Sequence, residues 1–472
     1  MLTTRFFILA ALAASTPALA QEATVTVATT DTVSRPAATA PAPTDTQPTK
    51  KSDAKVVRYY TPAIEIQHLR PLDQRGLNVF ESPKEPGATY DGFKLSWGGA
   101  FAQQFQNLTH TNAAALKPGK DAAGKDVNLN ALVPIGSGFN NADANLYVNV
   151  QLARGIRVAL EGYASSRHHN EFWIKDGYFL IDASPIDNKL LDRIMEVATL
   201  KVGHFEINYG DQHFRRTDNG MALYNPFVGN LIIDAFTTEI GAEAYLRQSG
   251  WLGMVGITGG EVKGSVRSPG KRGPSYLAKV GYDQQLTPDV RVRLTGSMYK
   301  KDRSASGTLT SGDRAGSRYY DVLENVVSTE AAQAWSGAVQ SGMRNNVTAF
   351  VVNPFVKVGG VELFGNLETM TGAATGEKTR RTLRQLSGEG LYRFASNKLY
   401  VGGRANGVHG QLAGITNDVS VKRYQVGGGW FVTPNVLSKV EFVRQNYEAF
   451  PTSDIRSGGK FEGFMIEGVV AF

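Results

Sequence analysis

The sequence predicts an all-β protein, a transmembrane antiparallel up-and-down β-barrel of about sixteen strands. Three observations point there. Apolar residues recur at every second position in segments near ten residues long, the period of a half-buried strand. Short connections alternate with long ones. And the chain stops on "FEGFMIEGVVAF", ending at Phe472, although chain ends are usually polar and frayed.

The first twenty residues, "MLTTRFFILAALAASTPALA", carry one charge at Arg5, then an apolar stretch, then a small-residue "ALA". That order predicts a secretory signal peptide over residues 1–20, cleaved before Gln21. Cleavage takes the formal charge from +7 to +6. No cysteine is present, so the fold does not rely on disulfides. Residues 21–88 are expected to be a periplasmic tether and lead-in. Within them, 21–55 are rich in Thr, Ala and Pro and too poor in large apolar groups to offset the entropy of ordering. Residues 56–88 predict no particular element.

The barrel is expected over 89–472. Its strands begin near residues 91, 144, 156, 171, 197, 236, 251, 274, 290, 346, 361, 382, 398, 420, 436 and 461. "ANLYVNVQLARGIRVALEG" shows the theme. Leu146, Val148, Val150 and Leu152 share one face, with Tyr147, Asn149 and Gln151 on the other. After a turn, Ile156, Val158 and Leu160 alternate with Arg157, Glu161 and Tyr163. Short turns fall at 153–155, 248–250, 286–289, 359–360, 395–397 and 433–435. Long loops fall at 108–143, 209–234, 259–273, 303–345, 371–380, 409–419 and 449–460. The exception is "ASPIDNKLLDRIME" between strands four and five, which predicts a small helix.

A soluble sandwich also buries one face of each strand, but it does not require alternating loop lengths. An outer-membrane barrel does, with turns on the periplasmic rim and loops outside. An even strand count puts both chain ends on the periplasmic side. In the last strand Phe464, Ile466, Val470 and Phe472 then face lipid, while Met465 and Glu467 face inward. Phe472, with Trp430, Phe394 and Tyr282, is placed in an interfacial aromatic girdle. A terminal aromatic on such a strand resembles the signature read by the barrel-assembly machinery.

Sixteen strands leave room for an aqueous lumen, so inward residues decide function. A Lys or Arg on the lipid side at mid-membrane costs about 2–4 kcal/mol, which assigns strand charges to the lumen. These are eleven bases, Arg157, Lys201, Arg247, Lys279, Arg291, Arg293, Lys357, Arg393, Arg404, Arg423 and Lys439. Against them stand nine acids, Glu161, Glu239, Glu243, Asp283, Glu362, Glu368, Glu389, Glu441 and Glu467. Arg157, Arg247, Arg291, Arg293, Lys357, Arg393 and Lys439 lie near short turns and would ring the periplasmic mouth, where basic rings favour anions. The bland alternative is that they pair with neighbouring carboxylates. The loop near 209–234, "YGDQHFRRTDNGMALYNPFVGNLIIDAF", is too apolar for solvent and is expected to fold into the lumen. That would set Arg215 and Arg216 near a constriction, with Lys201, Arg404 and Arg423 lining the pore.

"FWIKDGYFLID" followed by "LKVGHFEINYGDQHFRR" resembles the strand-pair signature of the phosphate-selective porins O and P, with a weaker second match in "LSKVEFVRQNY". The resemblance implies a sixteen-stranded, trimeric porin for small anions. The chain lacks a dense run of basic residues that would build a phosphate ladder, so the expectation is a general porin for small hydrophilic solutes or anions. Its surroundings are outer-membrane lipid, with the tether in the periplasm. A plugged barrel that binds a partner is the alternative, with "STEAAQAWSGAVQ" as a helix capped at Ser328 or Thr329. No G-x-S-x-G, P-loop, zinc or calcium motif occurs, so no catalytic residue, metal or cofactor is expected. The seven His include the loop pair His168–His169, read as solvated. The positive charge is spread out, so no nucleic acid is expected as partner.

Overall fold

A computed structural model describes residues 66, 69–81, 90–168, 171–262, 264, 272–304, 307, 309, 310, 318–329 and 336–472. The signal peptide, the tether over 21–55 and the middle of the 328–340 helix lie outside the described residues.

Sixteen antiparallel strands close into a barrel. They are β1 Lys94–Thr111, β2 Gly138–Ala153, β3 Ile156–Ser165, β4 Trp173–Ile181, β5 Ala198–Glu206 and β6 Thr238–Gln248. Next come β7 Trp251–Thr258, β8 Ser275–Thr287, β9 Val290–Lys301, β10 Asn345–Val358 and β11 Val361–Ala373. The circuit ends with β12 Arg381–Phe394, β13 Leu399–Gly410, β14 Val419–Thr433, β15 Val436–Glu448 and β16 Lys460–Ala471. Each pairs with its sequence neighbour, and β1 pairs with β16 from Ala100↔Ala471 to Thr111↔Lys460. Closure leaves no sheet edge, which a bilayer demands of any strand protein.

All the strand starts fall within three residues of those expected, except β2. It begins at Gly138, not near 144. Gly138 and Phe139 pair with Gln106 and Phe105 of β1, Asn140 and Asn141 fall in a register shift, and Asp143 pairs with both β1 and β3, so the even alternation that marks a membrane strand is broken there. A short hairpin, Pro118–Lys120 with Asp126–Asn128, fills part of the loop before it. The tight turns owe their shape to local residues. Ser249 and Gly250 both take positive φ, 50° and 84°, the two-residue hairpin that matches strand twist. Between β4 and β5 lies α1, Lys189–Met195, whose N-terminus is capped by the Asn188 side chain accepting from the Leu190 and Leu191 amides.

The outer face is apolar and exposed. Leu146, Leu160, Val255, Val280, Leu386, Phe464 and Ile466 all point outward. With no water-soluble partner surface on a closed ring, this face is the lipid-facing wall of a transmembrane barrel. Phe472 follows β16, its backbone exchanging two 2.9 Å hydrogen bonds with Gly99 on β1 while its ring stays exposed.

Three segments occupy the interior. Residues 207–237, between β5 and β6, fold inward. Met221, Leu223 and Phe227 pack on Ala100, Leu391, Tyr400, Phe431 and Val469 of the inner wall. Val228, Ile232 and Ile233 join Val408, Val421, Val443 and Met465 in a second cluster. Residues 318–329 and 336–343, from the loop between β9 and β10, add Tyr319, Val322, Leu323 and Val339 to that cluster. Residues 69–81, for which the sequence predicted no element, form a strap inside the half of the barrel that carries the short turns. The strap is fixed by Gln74 donating to the Pro434 carbonyl at 2.9 Å, by Tyr224 Oη donating to Pro71 at 2.5 Å, and by Phe80 stacked edge-on against Phe355 and Phe214.

Candidate functional site

The lumen is the candidate site. Its eleven predicted strand cations all lie on the inner side of the wall, and Arg215 and Arg216 lie on the inward loop. Most are held by carboxylates. At the short-turn end Arg157 pairs with Asp182, Arg393 with Glu362 at 2.8 Å, and Lys439 with Glu467. Arg291 grips Asp283 through two bonds of 2.8 and 2.7 Å. Arg293 is the most connected, reaching Asp211 twice at 2.8 Å, Glu81 at 2.7 Å and Asp283 at 3.0 Å. Lys279 stands beside it, 2.8 Å from Glu81 and 2.7 Å from Asp211. Burial opposes the charged form of Glu81, and Lys279 and Arg293 more than offset it, holding this strap carboxyl well below the usual range.

Among the described residues, Arg247 and Lys357 make no ion pair. Arg247 sits 5.4 Å from the Tyr245 ring and leaves two buried nitrogens without acceptors. The free cationic ring that the spacing of basic residues predicted is therefore reduced to these two.

Higher in the lumen the same pairing holds. Arg215 donates to Glu389 at 2.5 Å and to Asn78 of the strap, above the Phe364 ring at 5.2 Å. Arg404 takes the other oxygen of Glu389 at 2.9 and 2.6 Å and the Gly229 carbonyl at 2.8 Å. Arg216 forks onto Asp234 at 2.8 and 2.6 Å and reaches Asp218 at 3.2 Å, the bidentate geometry that suits a guanidinium. Arg423 donates to Gln445 at 2.5 Å and to the Asn230 and Gly337 carbonyls, pinning two inward segments to the wall. Lys201 lies between the Tyr178 and Phe205 rings at 4.6 and 4.4 Å and donates to the Glu206 carbonyl at 3.1 Å. Of these five, Lys201 and Arg216 line the central cavity described below; the other three are buried against the inward loop.

Space remains along one side of the barrel. On the periplasmic side a cavity of about 1010 Å³ is lined by Phe80, Glu81, Arg154, Arg247, Arg291 and Arg293. Phe80, Glu81 and Arg247 also line a central cavity of about 260 Å³, whose other walls include Tyr147, Glu161, Asp176, Tyr178, Lys201, Glu206, Arg216 and Tyr224. On the extracellular side Gln106, Asn140, Asn141, Arg167 and Tyr320 line a third, of about 470 Å³. Between the outer and central cavities lies a buried layer of Asp143, Asn145, Tyr163, Asn219 and Arg318. Arg318 donates to Asp143 at 2.5 Å and to the Asn219 carbonyl at 2.5 Å, and the Gly220 amide donates to Asn145 at 2.6 Å. The loop presses so close that a Cβ on Gly220 would stand 2.7 Å from the Ala100 and Asp143 carbonyl oxygens.

Sequence reasoning missed the strap residues Asn78 and Glu81, the loop acid Asp211 and the Asp143–Arg318 pair. The apolar Leu77, Val79 and Phe80 inside a region read as lead-in were the available signal. Pairings across hundreds of residues leave none. Among the described residues no group of three or more metal-ligating side chains is gathered.

No protein-family model matches the chain, and no curated protein does. Among solved structures, it is similar to a loop-deletion mutant of OmpT, an outer membrane protein of Vibrio cholerae, at 10% identity and a TM-score of 0.48, covering 81% of this chain and 100% of that one. It is also similar to the anion-selective porin from Comamonas acidovorans, at 12% identity, TM-score 0.47, and coverage of 81% and 100%. The outer membrane channel DcaP of Acinetobacter baumannii stands at 9% identity, TM-score 0.46, and coverage of 81% and 99%. Likenesses at this level leave the closed ring itself, seen directly in its hydrogen-bond pattern, as the basis for the fold.

Proposed function

We propose that this chain is an outer-membrane porin that passes small hydrophilic solutes along a narrow path beside β2 to β6. The observation that carries this reading is the row of three cavities on one side of a lumen otherwise filled by its own segments. A wall meant only as scaffold would not keep charged and aromatic side chains of both kinds around such space. The reading brings with it lipid around the barrel, export through a signal peptide, and the trimeric assembly that the porin resemblance implies. The decisive measurement is current across a planar bilayer holding purified protein: stepwise conductance supports the porin, and a folded but silent protein sinks it.

Ion preference follows from what stays unpaired. With most cations neutralised in place, discrimination is expected to be weak, and Arg247 and Lys357 supply a mild bias toward anions at the periplasmic mouth. The double variant Arg247→Gln, Lys357→Gln should therefore lower the anion-to-cation permeability ratio read from reversal potentials in a KCl gradient. An unchanged ratio would remove the mouth from the account.

A second reading, a plugged barrel that binds a partner, is favoured by the closed layer at Asp143 and Arg318. The same bilayer measurement separates the two.

A further inference from the structure

The outer wall carries a groove of about 600 Å³ across β10 to β14, below the extracellular rim. Strand register lays it out as two rungs. The lower one runs Val352, Leu367, Leu386, Gly407, Lys422. The upper one runs Phe350, Thr369, Arg384, His409, Ser420. A Cβ on Gly407 would meet nothing within 4 Å, so the missing side chain leaves a dent in the wall between Leu386 and Lys422. The outward lining is thus apolar at its floor, basic along its rim and free of carboxylates.

Two of the rim's basic side chains have partners just outside the groove. Lys422 lies 2.8 Å from Glu448, and His409 lies 3.4 Å from Asp418. Arg384 is different: it is exposed on the lipid side, and among the described residues it makes no ion pair and no side-chain hydrogen bond. An unpaired guanidinium on that face is costly in proportion to its depth. The surroundings can remove the cost by supplying an anion fixed to an apolar body, the chemistry of a lipid with a phosphate head.

We infer that the groove binds a phosphate-bearing lipid of the extracellular leaflet. An acyl chain lies over Leu367, Leu386 and Gly407, and a phosphate sits on Arg384 and His409, with Thr369 and Ser420 as further donors. Arg384 is suited to this by its planar donor fork.

The test is native mass spectrometry of the full-length, detergent-solubilised barrel, titrated with three probes. These are lipid A carrying both phosphates, the same lipid A with the phosphates removed, and inorganic phosphate. The wild type should retain the phosphorylated lipid best. Arg384→Gln with His409→Gln should weaken that binding about tenfold, the size of one charge-assisted hydrogen bond, while Lys300→Gln on the outward face of β9 should not. Equal retention of the dephosphorylated lipid, or equal binding by the double variant, would overturn the inference. So would inorganic phosphate competing as well as the lipid. A change in the number of copies per particle in the double variant would overturn it too, since a second copy would then be the occupant.

Discussion

Replacing Arg293 with alanine should lower the unfolding free energy of the barrel by about 3–5 kcal/mol, the usual result of removing one partner from a buried ion cluster. Arg293 is almost fully buried and holds Asp211, Glu81 and Asp283 together. Three parts of the fold meet on it: Glu81 belongs to the strap, Asp211 to the inward loop and Asp283 to β8. Without it, Lys279 alone must neutralise both Glu81 and Asp211. Chemical unfolding in detergent micelles, followed by tryptophan fluorescence, reads the loss. Fewer than about 1 kcal/mol, the range of an exposed pair, would show that solvent reaches this cluster freely. The same cluster sets a pH expectation. A carboxyl whose folded pKa lies below its unfolded value contributes stability in full above the unfolded value, here 4.5, and loses it only as pH falls through the lower folded one. The strap should thus stay docked through mild acid, and channel conductance should be flat from pH 7 to 5.

The second large effect is expected at Arg318. This residue bridges β2 and the inward loop through Asp143 and the Asn219 carbonyl, in the layer that parts the outer cavity from the central one. Arg318→Ala removes the bulk and the guanidinium that donates to Asp143 at 2.5 Å, while the Asn141 amide at 3.0 Å stays. A buried carboxylate that loses a guanidinium partner draws in water, so the layer should hydrate and the two cavities join. Unitary conductance should rise several-fold, and selectivity should move toward cations because the uncovered charge is negative. Asp143→Asn should open the layer less and leave selectivity in place. If Arg318→Ala conducts like the wild type, the constriction lies elsewhere, and Arg216 with Asp218 is the next place to look.

The sequence by itself determined the wall. Period-two patterning is a local property of ten residues, and the lipid side tolerates almost nothing else, so strand number, facing and turn positions were readable one segment at a time. Leu146 and Val148 outward against Tyr147 and Gln151 inward is one example, and Phe472 after β16 is another. β2 begins earlier than the patterning suggests because a register shift at Asn140 and Asn141 interrupts the alternation there. The apolar excess of 221–233 was legible for the same reason: such residues need cover, and the interior supplies it.

Only the tertiary structure decided what the inward charges do. Arg293 meets Glu81 across 212 residues of chain, Arg404 meets the Gly229 carbonyl across 175, and Arg318 meets Asp143 across 175. Nothing in the spacing of those residues encodes the pairing. A cation near a turn reads the same whether it faces open water or a carboxylate brought in by a strap. Which of the two it meets fixes the field in the lumen, because paired charges cancel at short range and unpaired ones do not. The ring of basic residues was therefore written in the sequence, and its neutralisation was written only in the fold.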